Sequence, residues 1–193
     1  MAFGNRLRVV LGLGVLLVVV QVLNWLSGYA LVQFGIVPRT LHGLVGVAFA
    51  PFLHGSLAHL LSNLLPFMVL SWLVLSEGLS RFIRVALLIA VIGGVLVWAL
   101  GRTSVHVGAS GVIFGLWSYL LARAWYQRSL ASVLVALGVL VVYGGLVFGL
   151  LPARGVSLES HLAGAFAGIL ASRLMHSKRL LARGTNDIKR TVK

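Results

Sequence analysis

Six apolar runs, at about 7–26, 57–75, 82–100, 110–126, 130–151 and 158–175, take up most of the 193-residue chain. Each is close to the roughly 20 residues with which an α-helix crosses the hydrocarbon of a bilayer. The chain is 60% hydrophobic and 10% charged, with mean hydropathy +1.05. A soluble domain carries about 25% charged residues and uses them to cover its surface. This chain cannot cover a surface in water, so the expected fold is all-α: one polytopic membrane domain over 1–193, a bundle of six transmembrane helices. The segment 27–56 is set apart, because Val37-Pro38-Arg39-Thr40 interrupts any helix there. Phe49, Pro51, Phe52 and Leu53 suit it to the membrane interface. The first run follows Arg6 and Arg8, as a leader peptide would, but its apolar stretch is long for one.

Lys and Arg number 16 against three acidic residues, Glu77, Glu159 and Asp187, for a net charge of +13. In a soluble protein that excess would point to nucleic acid. Its placement here points to topology. With the N-terminus inside, all the basic residues except Arg39, Arg102 and Arg154 fall on the cytoplasmic side. That is the asymmetry of the positive-inside rule, and it puts both termini in the cytoplasm with no nucleic-acid partner. The basic tail, about 176–193, is read as a topology signal that can also rest on anionic membrane lipids. Cysteine is absent, which excludes disulfides, thiolate metal sites and a cysteine nucleophile.

Polar groups inside spans cost free energy, and three places carry them. His59 and Asn63 are one helical turn apart at the start of the second run, with His54 just before them. Such a pair could equally serve as polar glue between helices. Gly108-Ala109-Ser110-Gly111 opens the fourth run. A serine there sits among unpaired N–H groups that could hold an oxyanion, or it is simply an N-cap between turn glycines. His161 stands near the start of the sixth run, where a headgroup-level histidine is the plainer alternative. Gly111 and Gly115 form one G-x-x-x-G, and Gly164 and Gly168 another. Packing those small faces together brings Ser110 near His161, both toward the outer surface.

Elimination narrows the chemistry. No H-E-x-x-H is present for zinc, and no pair of carboxylates lies within the spans for aspartyl catalysis. No carboxylate is well placed to complete a triad with His161. A Ser110–His161 dyad remains, with Phe114 placed to stack on the imidazole, and no metal or cofactor is called for.

These residues resemble the rhomboid family of intramembrane serine proteases, in its basic six-span bacterial form, over about 45–172. The elements that carry the likeness are His54, His59 and Asn63, then Gly108 to Gly111, then Ser160-His161-Leu162-Ala163-Gly164. The resemblance implies a rhomboid-like bundle in the bacterial inner membrane whose substrates are transmembrane proteins. It implies Ser110 as nucleophile, His161 as base, and His59 and Asn63 as oxyanion donors, with His54, Gly108, Gly111, Phe114 and Gly164 in support. The chain departs from the family pattern at Phe114, where tyrosine is frequent. It also has Val45-Gly46 where a Trp-Arg pair is often found, and Ser160 in place of alanine. Two other readings are a weak or inactive relative that binds membrane clients, and a small transporter. The transporter reading is disfavoured because the inner halves of the runs read as apolar.

Overall fold

The structure is a computed structural model that describes residues 1–152 and 156–191, with side chains described as far as His176. The expected placements of Arg154 and of the tail charges beyond His176 therefore lie outside the described side chains. Seven α-helices are found among the described residues: α1 (Phe3–Leu26), α2 (Leu41–Phe49), α3 (Leu57–Leu75), α4 (Leu79–Leu100), α5 (Ser110–Gln127), α6 (Leu130–Tyr143) and α7 (Leu158–Thr191). The expected all-α bundle is the observed fold.

Among the described residues, four stretches are long and apolar enough to cross a membrane: Phe3–Leu26, Leu57–Leu75, Leu79–Leu100 and Leu130–Leu150. The helices at the other two expected spans, α5 and α7, carry polar residues within their length, among them Ser118, Arg123, His161 and Ser172. The packing explains why this is tolerated. Every residue of α5 from Val112 to Leu120 is buried, and α7 lies against both α4 and α5. A helix whose neighbours are other helices need not be apolar on every face.

α1 shows the opposite pattern. Its buried positions Val10, Gly14, Leu17, Gln21 and Asn24 form one narrow stripe, while Leu11, Val15, Val18, Val22 and Leu26 are exposed. The stripe packs on α3, where a Cβ added to Gly14 would lie 3.0 Å from Met68 Sδ. The segment after α1 contains a short helix that the sequence reading did not anticipate. Pro38 does bar a helix through the segment, but Thr40 caps a new one just beyond it, its Oγ1 accepting from the Gly43 N–H at 3.0 Å.

The glycine spacing on α5 and α7 has the predicted consequence. A Cβ on Gly164 would collide with the Gly111 carbonyl oxygen, and one on Gly168 with the Gly115 carbonyl oxygen. The two helices touch backbone to backbone, a contact only small residues allow.

At the opposite end of α3 and α5 from Ser110 lies a buried ionic cluster. Glu77 pairs with Arg123 at 2.7 Å and with Arg81 at 3.7 Å, and accepts from the Tyr119 hydroxyl at 3.2 Å. Arg81 also bonds His176 Nε2 at 3.3 Å. The halves of the helices away from Ser110, expected to be nearly all apolar, therefore end in a charged cluster. Arg123, counted in the sequence only as one of the cytoplasmic-side charges, is 4% exposed. Its position on α5 points it at Glu77, which is itself mostly covered.

Candidate active site

Ser110 is the first residue of α5, delivered by the loop 101–109. Three backbone contacts hold that delivery. His106 and Ile36 exchange N–H···O bonds at 2.8 and 2.9 Å, and the Gly108 N–H donates to Ala50 O at 2.9 Å. Ala109 N–H reaches His54 Nε2 at 3.4 Å. Gly108 has φ +120, a conformation that favours glycine, and a Cβ there would lie 2.7 Å from His59 Nε2. Glycine at 108 thus lets the His59 ring reach the backbone just before Ser110.

His54 is fully buried, its ring edge-on to His59 with centroids 5.0 Å apart. Burial, and then the neighbouring His59, push His54 down to about 4, so it is neutral and can accept from Ala109. Its carbonyl accepts from Asn24 Nδ2 of α1 at 3.0 Å. α1 thereby braces the segment that leads into His59. Asn63 is nearly buried and spends one amide hydrogen on the His59 carbonyl at 2.8 Å. Its second amide hydrogen is free of that bond.

His161 is fixed from two sides. Its ring stacks on Phe114, with centroids 4.1 Å apart and planes 15° from parallel. Nδ1 lies 2.7 Å from the Gly149 carbonyl oxygen, so Nδ1 carries the proton and donates it, leaving Nε2 as the basic nitrogen. Gly149 belongs to a 3-10 turn over Gly144–Leu150. A Cβ on Gly149 would come within 2.6 Å of Phe114 Cζ and 3.3 Å of His161 Nδ1. Sequence reasoning missed this residue. Its signal was the run of glycines at 144, 145 and 149 at the end of an otherwise apolar stretch.

His59, Asn63, Ser110, Phe114, Gly149 and His161 all line one open cavity of about 670 Å³. Gly111 and Gly164 sit behind it, at the α5–α7 contact. Ser110 Oγ makes no hydrogen bond to His161 here, though the two share the cavity. Glu159 turns away to the loop, its carboxylate accepting from Arg102 N–H and pairing with the Arg102 side chain, both at 3.3 Å. Among the described residues no cluster of three metal-ligating side chains occurs. Arg102, Ser104, His106 and Ser157 add a polar rim that the sequence reading did not single out.

The comparisons with known proteins bear on the same region. The family model for the rhomboid domain matches residues 41–178. An uncharacterized protein of Mycobacterium tuberculosis is 39% identical over 178 residues, covering 87% of this chain and 74% of that protein. Rhomboid-like protein 11, chloroplastic, of Arabidopsis thaliana is 32% identical over 158 residues, covering 74% of this chain and 56% of that one. RHOMBOID-like protein 4 of the same plant is 35% identical over 125 residues, covering 62% and 31%. The matched domain contains every candidate residue of the cavity, from His54 to Gly164, and the chain belongs to the rhomboid family of integral membrane proteins.

Proposed function

We propose that this chain is an intramembrane serine endopeptidase that hydrolyses peptide bonds in or near transmembrane segments of other membrane proteins, with Ser110 as nucleophile and His161 as general base. The observation that carries the reading is the fixing of His161. The Gly149 carbonyl holds the Nδ1 proton and Phe114 holds the ring plane, so Nε2 is the basic nitrogen at a cavity shared with Ser110. In this reading a backbone carbonyl does what a carboxylate does in a triad.

Nε2 takes the Ser110 proton as Oγ attacks the scissile carbonyl. The resulting oxyanion is met by the Ser110 backbone N–H at the start of α5, the His59 ring and the free hydrogen of Asn63. His161 then gives its proton to the leaving amine, and water, activated by the same nitrogen, releases the acyl-enzyme. The missing Ser110–His161 bond fits an enzyme without substrate, since such bonds often close only in the loaded complex. It is also the one observation that favours the second reading, a weak relative that binds membrane clients.

Topology belongs to the same proposal. Site and ionic cluster lie at opposite ends of α3 and α5, which supports a site below the outer surface of a bacterial inner membrane with both termini cytoplasmic. Lipids and transmembrane substrates are the partners.

The test is a labelled fluorophosphonate added to the reconstituted protein, beside Ser110→Ala and His161→Ala, with cleavage of a model transmembrane substrate followed in parallel. Both variants are expected to lose labelling and cleavage. Labelling that persists in Ser110→Ala would remove Ser110 as nucleophile. Labelling without cleavage of any substrate would favour the client-binding reading.

A further inference from the structure

We infer that His106 is a positioning residue that sets the approach of Ser110 to His161 by tying the loop before α5 to the first turn of α7, an inference that rests on the reading of those two as nucleophile and base.

His106 stands four residues before Ser110 and is 2% exposed. Its two ring nitrogens point to different elements. Nε2 lies 3.0 Å from the Arg102 carbonyl and 3.2 Å from Ser104 Oγ, both within its own loop. Nδ1 lies 2.6 Å from Ser157 Oγ, at the entrance to α7. A neutral imidazole satisfies both ends at once: Nε2–H donates to Arg102 O, and Nδ1 accepts the Ser157 hydroxyl proton.

Ser157 then passes the constraint to the base. Its Oγ accepts from the Ser160 N–H at 3.2 Å and bonds Ser160 Oγ at 2.7 Å. Its carbonyl accepts from the His161 N–H at 3.2 Å. One buried side chain thus joins the backbone that carries Ser110 to the residue that bonds the His161 backbone. The glycine contact of α5 and α7 sets how far apart the helices lie, and the Ser118 hydroxyl of α5, donating to the Ala165 carbonyl of α7 at 2.7 Å, fixes their middles. The His106–Ser157 bond acts at their leading ends, where the two reacting groups stand. Further ties run from the Arg102 guanidinium to Val156 O and from the Arg102 N–H and side chain to the Glu159 carboxylate, but they lie on the exposed rim, where water competes for them.

The experiment measures the rate constant and the end point of fluorophosphonate labelling in wild type, His106→Phe, Ser157→Ala, their double variant and Ser157→Thr. The end point counts protein folded with a working site; the rate constant reports the geometry of that fraction. His106→Phe is expected to label about ten- to a hundredfold more slowly, the scale of a misplacement near 1 Å. Ser157→Ala is expected to slow labelling too, the double variant to be no slower than His106→Phe, and Ser157→Thr to stay near wild type. A lower end point with unchanged rate constants would overturn the inference, since His106 would then serve folding only. Additive effects of the two single variants would overturn it as well. Wild type that does not label at Ser110 would instead sink the reading of the site on which this one rests.

Discussion

At Gly149 a missing side chain matters as much as a present one. Any Cβ there would press on both Phe114 and His161, and the same residue's carbonyl holds the Nδ1 proton. Gly149→Val is therefore expected to turn the imidazole and cut cleavage by about a hundredfold. The labelling end point should stay near wild type, because the turn sits at the rim of the bundle. Unchanged cleavage would mean that His161 needs no such support. The proposed oxyanion pair makes a second case. His59→Ala and Asn63→Ala are each expected to slow cleavage by roughly ten- to a thousandfold through loss of a donor, read as a fall in kcat with KM little changed. Ser110, His161, His59 and Asn63 could all be picked out in the chain as candidates, because polar side chains at helical spacing stand out within apolar runs, and all four line the cavity. The group that orients His161 could not. A backbone carbonyl can come from any residue, and only the fold shows that Gly149 brings its own to the ring.

Among the elements, the contact of α5 with α7 decides whether the site exists. The two G-x-x-x-G patterns foretold it, since small residues four apart leave a groove that another backbone can enter. Gly164→Leu is expected to force the helices apart and leave little folded protein in detergent, an overpacking cost of about 1–3 kcal/mol or more. Gly138→Leu on α6, where an added Cβ meets nothing within 4 Å, is expected to leave thermal unfolding unchanged. Equal losses in the two variants would show that glycine content in general, and not this contact, is what the bundle requires. Pattern was less informative for α2 and for the last part of α6. Pro38 hid a helix that starts three residues later, and the run to residue 151 concealed the change to a 3-10 turn after Tyr143. Both are local choices made by capping and glycine, which hydropathy averages away.

Seen whole, the molecule places its two polar regions at opposite ends of an apolar bundle. The serine–histidine cavity occupies one end; Glu77, Arg123, Arg81, Tyr119 and His176 hold the other together across the α3–α4 turn, α4, α5 and α7. Counting charges identified the sign of that end but not its role, because a tally treats Arg123 like any loop arginine. A buried pair is costly to break from one side, since the remaining charge is left without a partner. Glu77→Gln is thus expected to destabilise the fold by about 3–5 kcal/mol, measured by denaturant or thermal unfolding in detergent. Replacing both partners, Glu77→Gln with Arg123→Met, should recover part of that loss, because the buried Arg123 guanidinium is gone and only the more exposed Arg81 loses its carboxylate. Labelling of Ser110 in the surviving folded fraction should keep its wild-type rate constant, since the cluster lies at the far end of α5. A slowed rate in Glu77→Gln, with stability restored by the double change and rate not, would show that the two ends are coupled along α5 and that the cluster tunes the site as well as holding the helices.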